Sequence, residues 1–495
     1  MTSPTDPAVA VAIDDRYEYG RTAPFHPPER YPEYPFGGET DPSNTAYMAV
    51  RDALRSLNLD SANVGTKEWN PLGEIIRPGD RVVLKPNAVL DHNQDPANSV
   101  FASITHPSVI RAIADYCAIA LRGRGAIVIA DAPLMASRFD RWLDVMQLES
   151  VQAFYKQHDV RLDVIDLRET TLRWMLGFTP SAFRRREQRD PLGYTDVDLG
   201  SRSLLAELSD EAIQRAYGAD YRIADTIRAH TRGRHEYRVA NTVLSSDVLI
   251  AIPKLKLHKK VGVTMTIKGM VGIIGDKNTI IHHRRGAPAV GGDEYPQQMR
   301  GPQAFFHDWR TMLVKHLAAR QTMFWDAVYL ANEAMRRGLE TVLVPGHANE
   351  RQGGGSWSGN DTAWRMGADL LRIALYGRVG QRSIGVERRR TFAVVDGIMG
   401  GDLHGPLAPR ERHAHTILAG TNLVAVDWVG ARLMNIDPEK LMLLASCRTA
   451  RDLAWDGDGL PVIRSAREDL RDLWANRFHL DFEAPLGWRG DVELH

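Results

Sequence analysis

The sequence predicts an α/β protein with a doubly wound, mostly parallel sheet. Short apolar runs bounded by proline, glycine or polar residues alternate with segments of helical periodicity. This alternation is typical of parallel sheets that carry helices on both faces. The 495 residues are enough for one large core with appended segments or for two domains. We therefore expect such a sheet with helical insertions, an extended N-terminal arm and a C-terminal helical tail.

The first part of the chain is predicted to form an arm followed by half of the sheet. Residues 1–44 are rich in proline and weakly periodic, so we expect an extended arm that lies on the body. Residues 45–169 then form the first α/β half. Its predicted elements are a helix over Thr45–Leu57, a strand within RVVLKPN, a helix over Pro107–Leu121, a strand over Gly125–Ala130, a helix from Phe139 to about His158 and a strand over Leu162–Asp166.

The second part begins with a segment that is predicted to leave the sheet. Residues 170–240 are charged and arginine-rich, which indicates an insertion with a solvated basic face. A buried strand over Asp247–Ile252 returns to the sheet, and Pro253 ends it. The segments expected from there are 241–300 with that strand and a loop rich in Lys, His and Gly, 301–390 with helices over Gln303–Arg336 and Trp364–Leu375, 391–449 with strands over Thr391–Asp396 and His415–Ala419 and a helix over Asn422–Met434, and the tail 450–495.

Charge and cysteine content limit the classes of function. Lys plus Arg and Asp plus Glu both number 62, so no global field favours nucleic acid or an anionic membrane. Only Cys117 and Cys447 are present, which excludes a disulfide framework and an iron–sulfur cluster held by this chain alone. No apolar window approaches the ~20 residues of a membrane span. We expect a soluble cytoplasmic protein with local anion binding and neither a nucleic-acid nor a membrane partner.

The segment Asp247–Arg285 carries the densest set of reactive side chains, with three histidines and six lysines. It follows a buried strand, and open α/β sheets hold their ligands at the carboxyl ends of strands. Lys256 and His258 share one face of an extended chain, and nearby glycines let the backbone approach a phosphate or carboxylate. One of the two adjacent histidines is expected to face the site and the other to be structural. The candidate catalytic residues are His258, Lys268, His282 and His283.

Three further clusters follow predicted strands. Lys85 and Asn87 end one strand, Asp131 ends another, and Asp396 begins a glycine-rich loop that reaches His404. Each also has a purely structural explanation, because Asn, Pro and Asp end strands or cap helices and Gly forms turns. The candidate substrate-binding residues are Lys85, Asn87, Lys254, Lys256, Thr264 and Asp396, and the candidate ligands of a divalent or transition metal are His258, His283, Asp402 and His404.

Asp427 is a carboxylate within the apolar helix NLVAVDWVGARLM. A buried carboxylate is rarely left without a partner. Asp427 therefore either fixes a loop by hydrogen bonds or contacts a ligand.

The chain carries, in order, LKPN, THPSVIRAI, DVLIAIPKLKLHKKVGVTMTIKGMVG, HHRRGAPAVGGDEYP, GNDTAWRM, VVDGIMGGDLHGPL and ILAGTNLVAVDWVGARLM. This succession resembles the domain of unknown function 362 family over roughly residues 45–445. Some members of that family add a ferredoxin-like module, whose cysteines are missing here. A more distant resemblance is to the N-terminal domain of the nickel-pincer lactate racemases. It implies a site lined by His258, by Lys268 as the lysine that carries the cofactor, and by His282 or His283.

Besides a protein that binds an organic or metallo-cofactor covalently through Lys268, as the distant resemblance allows, two classes of function remain open at this point. The first is an enzyme that acts on a small carboxylate- or phosphate-bearing metabolite by His/Lys acid–base or metal-assisted chemistry. The second is a non-catalytic binding or assembly protein with a structural His/Gly loop. In that case the basic run Arg184–Arg189 would dock a partner, while the arm and the tail would pack on a neighbouring copy in a homo-oligomer. The sequence specifies neither the substrate nor the reaction class.

Overall fold

The computed structural model describes residues 3, 5–172, 184–218, 222–297 and 354–494 and isolated positions between 309 and 331. The strands and helices given below lie in these parts of the chain. The predicted helix over Gln303–Arg336 falls outside these ranges. The strands are β1 (Ala8–Ile13), β2 (Arg81–Pro86), β3 (Ala126–Asp131), β4 (Leu162–Asp166), β5 (Thr170–Leu172), β6 (Arg184–Arg186), β7 (Tyr194–Asp198), β8 (Ala216–Gly218), β9 (Glu236–Ala240), β10 (Val248–Ile252), β11 (Lys254–His258), β12 (Gly262–Val263), β13 (Ile281–Arg284), β14 (Arg390–His404), β15 (Ala408–Gly420) and β16 (Val462–Arg464).

The described helices divide between the two faces of the central sheet. They are α1 (Thr45–Ser56), α2 (Pro107–Leu121), α3 (Phe139–Met146), α4 (Leu148–Gln157), α5 (Asp210–Ile213), α6 (Ile223–Ala229), α7 (Asn241–Leu244), α8 (Met265–Gly269), α9 (Ala363–Tyr376), α10 (Leu423–Leu433), α11 (Met442–Thr449) and α12 (Glu468–Arg471). Among the described residues, none of these helices combines the length and apolar character needed to cross a membrane.

The central sheet has ten strands and is mostly parallel. Eight of them follow the order β16-β1-β15-β14-β10-β2-β3-β4, while β11 joins β14 and β12 joins β11. Along this path the pairs β14–β10, β10–β2, β2–β3 and β3–β4 are parallel, and β15 runs antiparallel to both of its neighbours. Most carboxyl ends therefore meet at one edge of the sheet, as the sequence predicts.

Two apolar cores cover the two faces. Alternate residues of each strand enter different cores, as Val82 and Val83 of β2 do, because successive side chains of a strand point to opposite faces. Helices α1 to α4 pack on one face, and α7 to α11 pack on the other. This is the doubly wound α/β arrangement.

The prediction of an extended arm over residues 1–44 is wrong for Ala8–Ile13. These residues form β1, which lies between β15 and β16 in the central sheet. Their alternation of Val and Ala is too short to stand out beside the prolines that follow. The rest of residues 1–44 does lie on the body, where the aromatic rings of Tyr17, Phe25, Tyr31 and Phe36 are buried.

Three other predicted elements differ from the structure. The helix from Phe139 to about His158 is interrupted at Gln147, whose φ of 50° ends α3 and begins α4. The glycine-rich loop after Asp396 is a continuation of strand, since β14 extends to His404 and forms a long hairpin with β15. The helical tail contains one short helix, α12, and the edge strand β16.

The segment between β4 and β10 forms small structures outside the central sheet. Its described residues form two-stranded pairs, β5 with β6 and β7 with β9, while β8 pairs with β13. Strand β13 contains the two adjacent histidines, His282 and His283.

Candidate active site

The site begins where β2 and β3 end side by side. Lys85 Nζ donates to Asp131 Oδ2 at 2.8 Å, and both side chains are buried. The backbone N–H of Ala88 donates to the same carboxylate oxygen at 3.1 Å. These two predicted strand-end positions therefore form one ion pair at the carboxyl edge.

A second buried ion pair forms where β10 gives way to β11. Lys254 Nζ donates to Asp396 Oδ2 at 2.6 Å and to the Tyr19 hydroxyl at 2.9 Å. The Tyr19 hydroxyl in turn donates to Asp396 Oδ1 at 2.6 Å. The Tyr19 ring stacks on His106 with their centroids 3.9 Å apart. Tyr19 of the N-terminal segment thus covers this ion pair. Burial raises the pKa of Tyr19 well above its ordinary value.

Strand β11 continues the sheet past Pro253 and carries Lys256 inwards. Lys254 lies opposite Asp396 and Lys256 opposite Gly401, with an irregular register between them. Lys256 is fully buried, and its Nζ donates to the Ser103 carbonyl at 2.5 Å. Burial, reinforced by the positive charge of Lys254, lowers the pKa of Lys256 to about 7.

Helix α8 places Lys268 opposite His282. Lys268 Nζ lies 3.3 Å from His282 Nε2. Burial, together with the charges of Lys260 and Lys277, lowers the pKa of Lys268 to about 7. The same cause, burial, holds the pKa of His282 well below its ordinary value. Two groups that can each give or accept a proton therefore face each other at the end of β13.

Asp427 on α10 fixes the start of α8. Its Oδ1 accepts the Thr266 N–H at 2.8 Å and its Oδ2 accepts the Ile267 N–H at 2.9 Å. Met265, directly before them, has a φ of 24°, which is unusual for a residue with a side chain. Of the two roles considered for Asp427, fixing a segment by hydrogen bonds is confirmed.

A fifth buried lysine, Lys277, lies near the Lys85–Asp131 ion pair. Its Nζ donates to the Val271 carbonyl at 2.7 Å. Burial lowers the pKa of Lys277 to about 7, with Asp131 opposing and Lys85 adding to the effect. The connecting segment passes so close that a Cβ on Gly272 would lie 2.2 Å from Asp131 Oδ1 and 2.5 Å from Lys85 Nζ.

The resulting cluster has more buried cations than carboxylates. Lys85 and Lys254 each pair with an aspartate. Within the part of the chain that the structure describes, Lys256, Lys268 and Lys277 have no carboxylate within ion-pairing distance. Burying a charged ammonium without a counterion is costly. These three lysines are therefore either neutral or matched by an anion.

Several buried polar atoms around the cluster have no hydrogen-bond partner among the described residues. Asn87 Nδ2 and Thr264 Oγ1 are two of them, and His282 Nδ1 is a third. Buried polar atoms of folded proteins are rarely left in this state unless water or a ligand completes them. Water or a polar ligand beside the lysines would complete these three atoms.

The remaining two histidines differ in their surroundings. His258 Nδ1 accepts the Lys260 N–H at 3.0 Å, so its proton lies on Nε2. Burial, helped by the charges of Lys268 and Lys256, holds the pKa of His258 well below its ordinary value. His283 stacks on Tyr217 with centroids 5.0 Å apart and lies 3.8 Å from Glu294. Of the adjacent pair, His282 is thus the one that contacts Lys268.

The four candidate metal ligands do not come together. Asp402 is fully buried but is held by Arg410, by Arg412 and by the Glu483 N–H. His404 ends β14, and His283 packs against Tyr217. Among the described residues, no group of three or more His, Cys, Asp or Glu side chains is placed to hold a metal ion.

Some residues of the site were missed by the sequence-based selection. Lys277 belongs to the lysine-rich segment Asp247–Arg285 but is not among the candidates selected from it, and it follows an aspartate that caps the next turn. Tyr19 and His106 reach Asp396 from distant parts of the chain, and no local pattern indicates this contact. Gly272 is one of the glycines expected to let the backbone approach another group closely, and the group beside it is the Lys85–Asp131 ion pair.

Comparison with known proteins gives one family and no characterised relative. No curated protein matches the sequence. The family model described as a domain of unknown function, DUF362, matches residues 82–177 and 201–432. These segments contain β2, β3, β10, β11, α8 and β13, which provide Lys85, Asp131, Lys256, Lys268 and His282. Because the match covers more than half of the chain, this protein belongs to the DUF362 family.

Proposed function

We propose that this protein is an enzyme that binds a small anionic metabolite at the carboxyl edge of its sheet and transforms it by proton transfer. The observation that carries this proposal is the set of three buried lysines, Lys256, Lys268 and Lys277, without carboxylate partners among the described residues. A carboxylate or phosphate would supply the missing negative charge. Convergent polar groups in such a position are typical of ligand sites in α/β proteins.

The residues divide into binding and proton-transfer roles. Lys256 and Lys277 would hold the anionic group, and Asn87 and Thr264 would complete hydrogen bonds to it. Lys268 would give and accept the proton, because its pKa of about 7 lies near neutral pH, where proton transfer is most efficient. His282 would pass that proton on. His258 and His282 would act in acid–base chemistry and not as metal ligands.

The alternative is a non-catalytic binding or assembly protein that docks a partner on the basic run Arg184–Arg189. Ion pairs within the chain make this surface less suited to that role. Arg186 pairs with Glu169, and Arg189 pairs with Asp166 at 2.8 Å and with Glu187 at 2.6 Å. The basic run Arg184–Arg189 is thus partly neutralised by its own chain. An acidic partner would have to displace these contacts.

Anion binding is tested by thermal shift and calorimetry with inorganic phosphate and oxalate near pH 7. We expect both anions to raise the melting temperature of the wild type. In Lys256→Met or Lys277→Met the affinity should fall about tenfold or more, since a hydrogen bond to a charged group contributes about 1.5–3 kcal/mol. The exposed lysine variant Lys156→Met is the control. Equal affinities in all four proteins would contradict the proposal.

Catalysis is tested separately by incubating the protein with a library of carboxylates and phosphate esters and following each by NMR. We expect conversion or solvent-deuterium exchange of one compound by the wild type, and its loss in Lys268→Met with folding retained. A protein that binds anions tightly but changes no compound would favour the non-catalytic alternative.

A further inference from the structure

Lys268 differs from the other two buried lysines in what its amine contacts. Lys256 Nζ donates to the Ser103 carbonyl, and Lys277 Nζ donates to the Val271 carbonyl. Lys268 Nζ has one hydrogen-bond partner in the described part of the chain, the Nε2 atom of His282. A carbonyl oxygen fixes an ammonium group, whereas an imidazole can accept a proton from it.

The imidazole of His282 has few hydrogen bonds that would fix its position. Its Nδ1 is buried and has no partner among the described residues. His282 is partly exposed as a whole residue, whereas Lys268 is buried. Two unanchored groups of this kind at 3.3 Å are suited to exchange protons during a reaction at the amine.

We propose that Lys268 is a nucleophile that forms a Schiff base with the carbonyl group of a 2-oxo acid. This inference rests on the proposed anion site, because the carboxylate of such a substrate would bind the neighbouring lysines. A buried lysine beside other cations is favoured as the neutral, nucleophilic amine. The substrate would thus need a carbonyl carbon next to its carboxylate.

The step balances without a further reactant. The neutral amine of Lys268 attacks the carbonyl carbon, and a C–N bond forms while the π electrons move to oxygen. His282 Nε2 takes one proton from the attacking nitrogen and passes it to that oxygen, which gives a neutral carbinolamine. His282 Nε2 then takes the second proton of the nitrogen and passes it to the hydroxyl, which leaves as water while a C=N bond forms. The net change is amine plus carbonyl to imine plus water.

The test uses the full-length wild-type protein and two small aldehydes. Glyoxylate carries a carboxylate beside its carbonyl, and acetaldehyde does not. After incubation near pH 7.5, borohydride reduces any imine to a stable secondary amine, and peptide mass spectrometry locates the label. We expect glyoxylate to label Lys268 at least about tenfold more than Lys256 or Lys277, which are internal controls with the same pKa of about 7.

The outcomes separate this inference from the proposed function. Preferential labelling of Lys268 by glyoxylate, slowed in His282→Gln, supports the inference. Labelling of Lys268 by acetaldehyde as fast as by glyoxylate keeps the nucleophile but contradicts the anion site. Uniform or absent labelling in a protein that still binds phosphate overturns the nucleophile and leaves anion binding intact. The position of the label is determined in the wild type, so only the rate comparison with His282→Gln depends on the folding of a variant.

Discussion

Gly272 determines how closely the chain can approach the Lys85–Asp131 ion pair. A Cβ at this position would overlap both partners, at 2.2 Å from Asp131 Oδ1 and 2.5 Å from Lys85 Nζ. Neither side chain can move away easily, since both are buried and paired. We expect Gly272→Ala to lower the free energy of unfolding by roughly 1–3 kcal/mol, the usual cost of overpacking, as measured by urea denaturation.

A control for this substitution is available in the same chain. Gly459 is exposed, and a Cβ added to it would meet no heavy atom within 4 Å, so Gly459→Ala should leave stability nearly unchanged. We also expect Gly272→Ala to weaken phosphate binding, because the displaced Lys85 lies next to Lys277. Unchanged stability and affinity in Gly272→Ala would show that the ion pair can yield.

The carboxylate of Asp427 holds the start of helix α8. Asp427 accepts two backbone N–H groups at its start, and α8 carries Lys268. Asp427→Ala would leave two buried donors without acceptors, at a cost of about 1–3 kcal/mol each. We expect a lower melting temperature and a phosphate affinity reduced at least about threefold, since a displaced α8 moves Lys268.

The variant Asp427→Asn distinguishes position from charge. An asparagine has the same size and keeps one acceptor oxygen, so it should retain part of the lost stability and affinity. If both variants lose stability but bind phosphate as tightly as the wild type does, α8 does not position the anion site.

Local sequence patterns predict most strands and helices of the central sheet but not the strand that begins after Pro253. The apolar runs that became β3 and β10 are recognisable without tertiary context. Strand β11 is different, because it forms only where β14 extends beyond β10 and offers it a partner. The glycines of β14 misled the prediction for a related reason. A Cβ on Gly401 would lie 2.4 Å from the Ala102 carbonyl, so this glycine serves close packing and not a turn.

The location of the candidate site was predictable, and its partners were not. Lys85, Lys254, Lys256 and Lys268 follow strands in the sequence, and parallel topology gathers them at one edge. The hydrogen bonds that Asp396 accepts from Tyr19 and His106 could not be predicted, because these two residues reach it only in the folded chain. Asp402 and His404 are candidate metal ligands because a glycine-rich loop is predicted to carry them, whereas both lie on β14 and arginines of β15 bind Asp402.

The stability of the whole protein should depend on pH in a direction set by its buried lysines. Lys256, Lys268 and Lys277 have a pKa of about 7 when folded, against an ordinary value of 10.5. Below pH 7 the folded protein must bury their charges. Between pH 7 and about 10.5 the folded state binds fewer protons than the unfolded state, so the free energy of unfolding rises with pH.

Two buried carboxyl groups act in the opposite direction at lower pH. Burial raises the pKa of Asp369 to about 6 and of Asp427 to about 7, so their contribution to stability is lost as pH rises towards 7. The lysines therefore dominate above that value. We expect the melting temperature to rise by a few degrees between pH 7.5 and 9.5, less steeply in Lys277→Met than in Lys156→Met.

Added phosphate should reverse this trend. It binds protonated lysines, so its stabilising effect should be larger at pH 7 than at pH 9.5. A melting temperature that falls over the same range, or a phosphate effect independent of pH, would mean that the lysines stay charged in the folded state.

The sheet also dictates when the chain can finish folding. Strand β1 is made first, yet it lies between β15 and β16, which are made near the end of synthesis. Until then the backbone N–H and C=O groups of β1 have no hydrogen-bond partners in the sheet. An unpaired strand of this kind is prone to pair with strands of other chains. We therefore expect a nascent chain of this protein to bind a chaperone at its N-terminal segment until the ribosome has released residues 462–464.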